Sequence, residues 1–116
     1  LDPRRREASE QKDTLFMELF AGLIDMFKQA EDIHGQNLFE STLISYGSNL
    51  RTGHGLKGCP ALYTGGAVAN LKYGEHIVLP QKDTPLSNYW LTLVQHAGIP
   101  LDQFSHSTGS LSELVS

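Results

Sequence analysis

Residues 42–66 read TLISYGSNLRTGHGLKGCPALYTGG. Two short apolar runs enclose a polar one. Thr42-Leu43-Ile44-Ser45-Tyr46 is β-branched and aromatic and stops at Gly47, the pattern of a buried strand. Residues 60–66 form a second short strand pattern, halted by paired glycines. Between the two lie His54, the only cysteine (Cys59), Arg51, Lys57 and several glycines. A loop of that composition either grips a metal or an anion, or is a long connector.

On the N-terminal side stands the strongest helix signal in the chain, over residues 10–34. Leu15, Leu19, Leu23 and Phe27 form one i,i+4 row, and Phe16, Phe20 and Ile24 form the next. Met26, Ala30 and Ile33 extend the stripe, which is the wide apolar face of a helix that packs on a core. Gly35 is its natural stop. Residues 1–9 read as a flexible arm. Its run Arg4-Arg5-Arg6 lies beside Glu7 and Glu10 and is expected to be solvated.

On the C-terminal side, residues 67–79 suggest a turn at Lys72-Tyr73-Gly74 followed by extended structure to Leu79. A second helix is expected over residues 85–97. Thr84 suits its N-cap, Pro85 its first position, and Gly98 with Pro100 its end. Leu86, Tyr89, Trp90, Leu93, Val94 and Ala97 make the expected apolar face. The Ser-rich tail reads as irregular. The order helix, strand, loop, strand, strand, helix describes an α/β fold with a short sheet flanked by helices, a single domain over residues 10–116. So thin a sheet suggests the C-terminal part of a longer protein.

With 116 residues and 40% apolar composition, one modest core is expected. The net charge of −4 speaks against a nucleic-acid surface. No stretch reaches the roughly 20 apolar residues of a membrane span. A lone cysteine forms no internal disulfide and no cysteine metal cluster, and Cys59 is expected to be a buried inert thiol.

Among the five histidines, none pairs at the i,i+4 spacing of a helical zinc motif. His34 and His96 are expected at helix ends, where a cation suits the dipole. His76 falls in the extended segment, as a cross-strand neighbour or a ligand, and His106 in the tail. His54 stands apart, because Gly53 and Gly55 flank it in a loop just beyond a strand. It is the candidate metal ligand, and Arg51 and Lys57 are the candidate anion-binding pair. The loop lacks the G-K-[ST] ending of a phosphate loop. Gly47-Ser48-Asn49 is not a nucleophile elbow, so no catalytic residue is assigned.

Several stretches together resemble a known family. TLISYGSNL, then PALYTGG, then TPLSNYWLTLVQHAGIPLDQFSHSTGSLSEL are similar to the C-terminal part of domain-of-unknown-function family 1552, the bacterial HXXSHH-motif family. The ending carries most of the likeness: Thr84-Pro85-Leu86-Ser87-Asn88, Leu91-Thr92-Leu93, Gly98-Ile99, Phe104 and Ser107-Thr108-Gly109. The resemblance spans roughly residues 10–114. It implies an alkaline-phosphatase- or sulfatase-like fold, an exported (periplasmic or secreted) protein, and a divalent metal at strand ends.

The residues depart from that pattern at the expected ligands. Asn49 stands where the family has an acid, and Leu56 and Lys57 follow where it has further histidines. A metal site needs three or four converging ligands, and a neutral amide and a lysine are poor substitutes. The expectation is therefore a non-catalytic binding or assembly domain without a cofactor, partnered by the N-terminal half of a longer protein or by another subunit. The alternative is a metal- or anion-dependent hydrolase of phosphate or sulfate esters.

Overall fold

The computed structural model describes residues 2–48, 57–66 and 70–116. The fold is mixed α/β, with two α-helices and a short two-stranded antiparallel sheet among the described residues. The chain divides into two compact units, Leu1–Ser41 and Thr42–Ser116.

The first unit is built on α1, Pro3–Gln29. It starts earlier than the apolar periodicity suggested, and takes in most of the stretch expected to be an arm. The cause is local: Asp2 is the N-cap, its carboxylate accepting from the Arg4 amide at 2.9 Å, and Pro3 occupies the first helical position. Arg6 and Glu10 then pair at 3.0 Å across one turn of the exposed face.

The helix also ends earlier than Gly35. Ala30 leaves the helix in an extended conformation, and the chain folds back to satisfy the last turn. The Asn37 side-chain amide donates to Lys28 O at 2.6 Å, and the Phe39 amide donates to Phe27 O at 3.2 Å. Lys28 Nζ lies 4.9 Å from the centre of the Phe39 ring. Gly35, with φ +77, serves the turn that makes this return possible, donating to Asp32 O. His34 therefore sits in that turn rather than on the helix end. Its own amide donates to Asp32 Oδ1 at 2.7 Å.

The apolar stripe was expected to lie on a core. Instead α1 buries no residue. Leu19 is 60% exposed and Met26 68%. Among the described residues of Leu1–Ser41, α1 is the only helix and there is no strand, so no second helix or strand of this unit covers the stripe.

The second unit holds the sheet. β1 is Ile44–Gly47 and β2 is Ala61–Thr64. They pair antiparallel with Ile44 opposite Thr64 and Gly47 opposite Ala61. The Ser48 amide, donating to Pro60 O, closes the base of the connection. At the far end of β2, Gly65 adopts φ +122 against Thr42 and Leu43, so close that a Cβ there would lie 1.9 Å from Thr42 O.

α2, Leu86–His96, packs on this unit's core of Leu71, Tyr89, Leu93, Leu111 and Leu114. Pro85 is its N-cap rather than its first helical residue, because Pro85 O already accepts from the Asn88 amide at 2.9 Å. Thr84 does not cap the helix. The proline ring holds the preceding residue out of the helical region, and the Thr84 hydroxyl donates back to Lys82 O. Gly98, at φ +91, ends the helix as its position predicts.

The tail belongs to the core as well. Leu111 and Leu114 are buried, the latter in a short 3-10 turn, Ser112–Leu114. Val115 bridges Leu71, the Lys72 amide donates to Leu114 O, and the Ser116 amide donates to Asn70 O.

Candidate functional site

The loop between β1 and β2 carries the candidate residues that the sequence marks. Two of its three candidate residues, Arg51 and His54, lie outside the described residues, as does Asn49. Lys57 is described and exposed. Cys59 is half-buried rather than fully buried, and it makes an interaction.

The context of the loop is now defined. It joins two antiparallel neighbours, so it is a hairpin connection. Binding crevices at strand ends are a feature of parallel sheets, whereas β1 and β2 run antiparallel.

His76 and His106 are exposed, and His96 is the last residue of α2. Among the described residues no three of His, Cys, Asp and Glu converge on a point that could hold a metal. Among them, too, no helix is long and apolar enough to cross a membrane.

What the fold does bring together is polar and buried, on the α2 side. Asn88 and Thr92 lie one turn apart on the same face of the helix. The Asn88 carboxamide donates to Thr108 Oγ1 at 3.0 Å and accepts from the Thr108 amide at 2.8 Å. The Thr92 hydroxyl, fully buried, donates to Asn88 O at 2.7 Å and accepts from the Leu111 amide at 2.7 Å. Ser107 Oγ, also on a buried residue, accepts from the Phe104 amide at 2.8 Å. The bonds from Asn88 and Thr92 to Thr108 and Leu111 stitch the irregular tail to the helix where no ladder does so. One hydroxyl is left over: Ser87 Oγ is buried and has no hydrogen-bond partner.

No protein-family model, curated protein or solved structure matches the chain. The residues that carried the family resemblance most strongly, in the α2 segment and the tail, include the members of this clasp. Their chemistry in this fold is that of side chains satisfying buried backbone groups.

A second cluster lies across the sheet. Tyr63 and Tyr73 meet edge to face with ring centres 5.6 Å apart, Tyr63 and Tyr89 lie 6.5 Å apart, and Tyr89 and Trp90 lie 5.1 Å apart. Each phenol is engaged. Tyr63 OH donates to Lys72 O, and Tyr73 OH donates to Gly65 O at 2.9 Å. Tyr89 OH donates to Leu62 O at 3.2 Å and shares a hydrogen bond with Ser45 Oγ at 2.7 Å.

Burial pushes all three phenols above the ordinary tyrosine value. The neighbouring phenols and Glu75 add to the effect at Tyr63. At Tyr89 the bond to Ser45 opposes it in part. Phenols held neutral and already bonded are structural struts, with no proton to exchange near neutral pH. Neither cluster presents a nucleophile beside a base.

Proposed function

We propose that this chain is a non-catalytic domain used for binding or assembly, in the setting its family resemblance implies: an exported bacterial protein with an alkaline-phosphatase-like fold. The observation that carries this reading is the apolar face of α1. Leu15, Phe16, Leu19, Leu23 and Met26 are exposed on a long helix whose own unit has no core to receive them. A contiguous apolar surface of that kind marks an interaction site. The partner is the further part of a longer protein or another subunit.

The alternative, a phosphate- or sulfate-ester hydrolase, needs His54 to act as a metal ligand with Arg51 and Lys57 holding the anion. Metal analysis of the purified protein tests the proposal. The expected result is no stoichiometric zinc, manganese or calcium and no cleavage of generic phosphate or sulfate esters. Stoichiometric metal that is lost on His54→Ala, together with ester cleavage, would establish the hydrolase instead.

A further inference from the structure

Residues 75–79 have the side-chain pattern of a strand without its ladder. Ile77 and Leu79 pack against the core around Leu71 and Tyr89. Val78 between them points away and is 82% exposed, and Glu75 and His76 are exposed as well. In-and-out alternation with a period of two is that of an extended segment lying with one face on a core. Yet among the described residues no backbone amide or carbonyl of 75–79 takes part in a hydrogen bond, whether in the sheet, a bridge or a turn. A segment held extended by its apolar face, with free backbone groups along its length, is a template for one more strand.

The sequence specifies which edge and which strand. Pro80 has no amide to donate, so the edge formed by residues 76, 78 and 80 lacks a donor. The opposite edge, formed by residues 75, 77, 79 and 81, keeps a donor at every position. The segment is also nearly symmetric about Val78. Ile77 and Leu79 flank it, then His76 and Pro80, then Glu75 and Gln81, then Gly74 and Lys82.

An antiparallel copy centred on Val78 sets Ile77 opposite Leu79 and Glu75 opposite Gln81, each as a hydrogen-bonded pair. It sets Val78 against its twin at a non-hydrogen-bonded position, where Cα atoms approach to about 4.5 Å. The charges at the two ends have opposite sign. The two-fold axis therefore keeps each Glu75 away from its twin and sets it opposite the neutral Gln81. A parallel pairing would stack Glu75 on Glu75 and Lys82 on Lys82.

We infer that residues 75–81 form an intermolecular strand pair with a second copy of this chain, antiparallel and centred on Val78. This goes beyond the function proposed above and holds whether or not the loop near His54 binds a metal.

Sedimentation of the full chain over a range of concentrations, combined with amide hydrogen exchange, tests the pairing. A reversible dimer is expected, in which the Ile77 and Leu79 amides become protected as concentration rises. Val78→Lys places two cations face to face at an exposed position and should weaken the dimer by about tenfold or more. V78C in a C59S background should crosslink to itself on mild oxidation. A chain that stays monomeric throughout overturns the inference. So does a dimer that Val78→Lys leaves intact, or one whose exchange protection falls on α1 and not on residues 75–81.

Discussion

Replacing Thr92 by valine isolates the hydroxyl that ties the tail to α2. The two side chains have nearly the same shape, so packing around the site is kept. What is lost is the acceptor for the Leu111 amide and the donor to Asn88 O, each at 2.7 Å. Asn88 O loses little, since a carbonyl inside a helix has a backbone partner too. The Leu111 amide has no such reserve, and Leu111 is buried. Stranding it costs about 1–3 kcal/mol.

Thr92→Ser is the matched control. It keeps both hydrogen bonds and removes one buried methyl, at a cost of about 1 kcal/mol. A unit of this size has a total stability of roughly 4–11 kcal/mol, so both changes are measurable in urea titrations. Thr92→Val is expected to be the more damaging of the two, with a lower urea midpoint and loss of hydrogen-exchange protection at Leu111. Thr92→Ser should retain that protection. If the valine variant proves as stable as the serine variant, or if Leu111 stays protected in it, the hydroxyl is not what holds the tail.

Gly65→Ala should cost at least about 3 kcal/mol, because the new Cβ meets the Thr42 backbone at a φ that L residues rarely adopt. A thermal melt within a degree or two of the parent would refute this. Ser87→Ala should leave stability unchanged or raise it by up to about 1 kcal/mol, since it removes a buried hydroxyl without a partner. A fall in the urea midpoint would count against it. The tyrosine cluster predicts alkaline sensitivity. The folded phenols titrate above the unfolded ones, so above about pH 10 the unfolded state releases protons that the folded state still holds. Stability from this source is complete below that pH and is lost as pH climbs through the folded values. Urea midpoints followed against phenolate absorbance should show the loss, and Tyr89→Phe should make the slope shallower.

Local patterns made part of this fold legible. β1, β2, α2 and the Gly98 stop follow from β-branched runs, apolar spacing and glycine placement. The start of α1 was legible too, in Asp2-Pro3, but the apolar stripe begins later and drew the boundary with it. Gly35 looked like a helix stop because glycine suits one, and only the return of Asn37 and Phe39 onto the last turn shows its use in a different turn. The buried face of α2 differs from its apolar face for a similar reason. Asn88 and Thr92 look like surface residues, yet they are buried because Thr108 and Leu111, far away in sequence, satisfy them. Leu86 and Trp90, expected inside, are substantially exposed. The tail hid its part in the core behind serines. Of the candidate site, the sequence marks His54, Arg51 and Lys57 by composition alone, and composition does not say which side chains converge.

The bridge between Leu71 and Val115 bears on the order of folding. Ser45 and Tyr89, another long-range tie, are 44 residues apart, and Leu71 and Val115 are separated to a similar extent. Closing a loop of that length costs about 3 kcal/mol of chain entropy before any contact repays it. α2 can form from its neighbours alone, but its polar face has nothing to bond until the tail arrives. The second unit should therefore fold late and all at once, more slowly than its helix content suggests, with the tail docking as the step that locks the core.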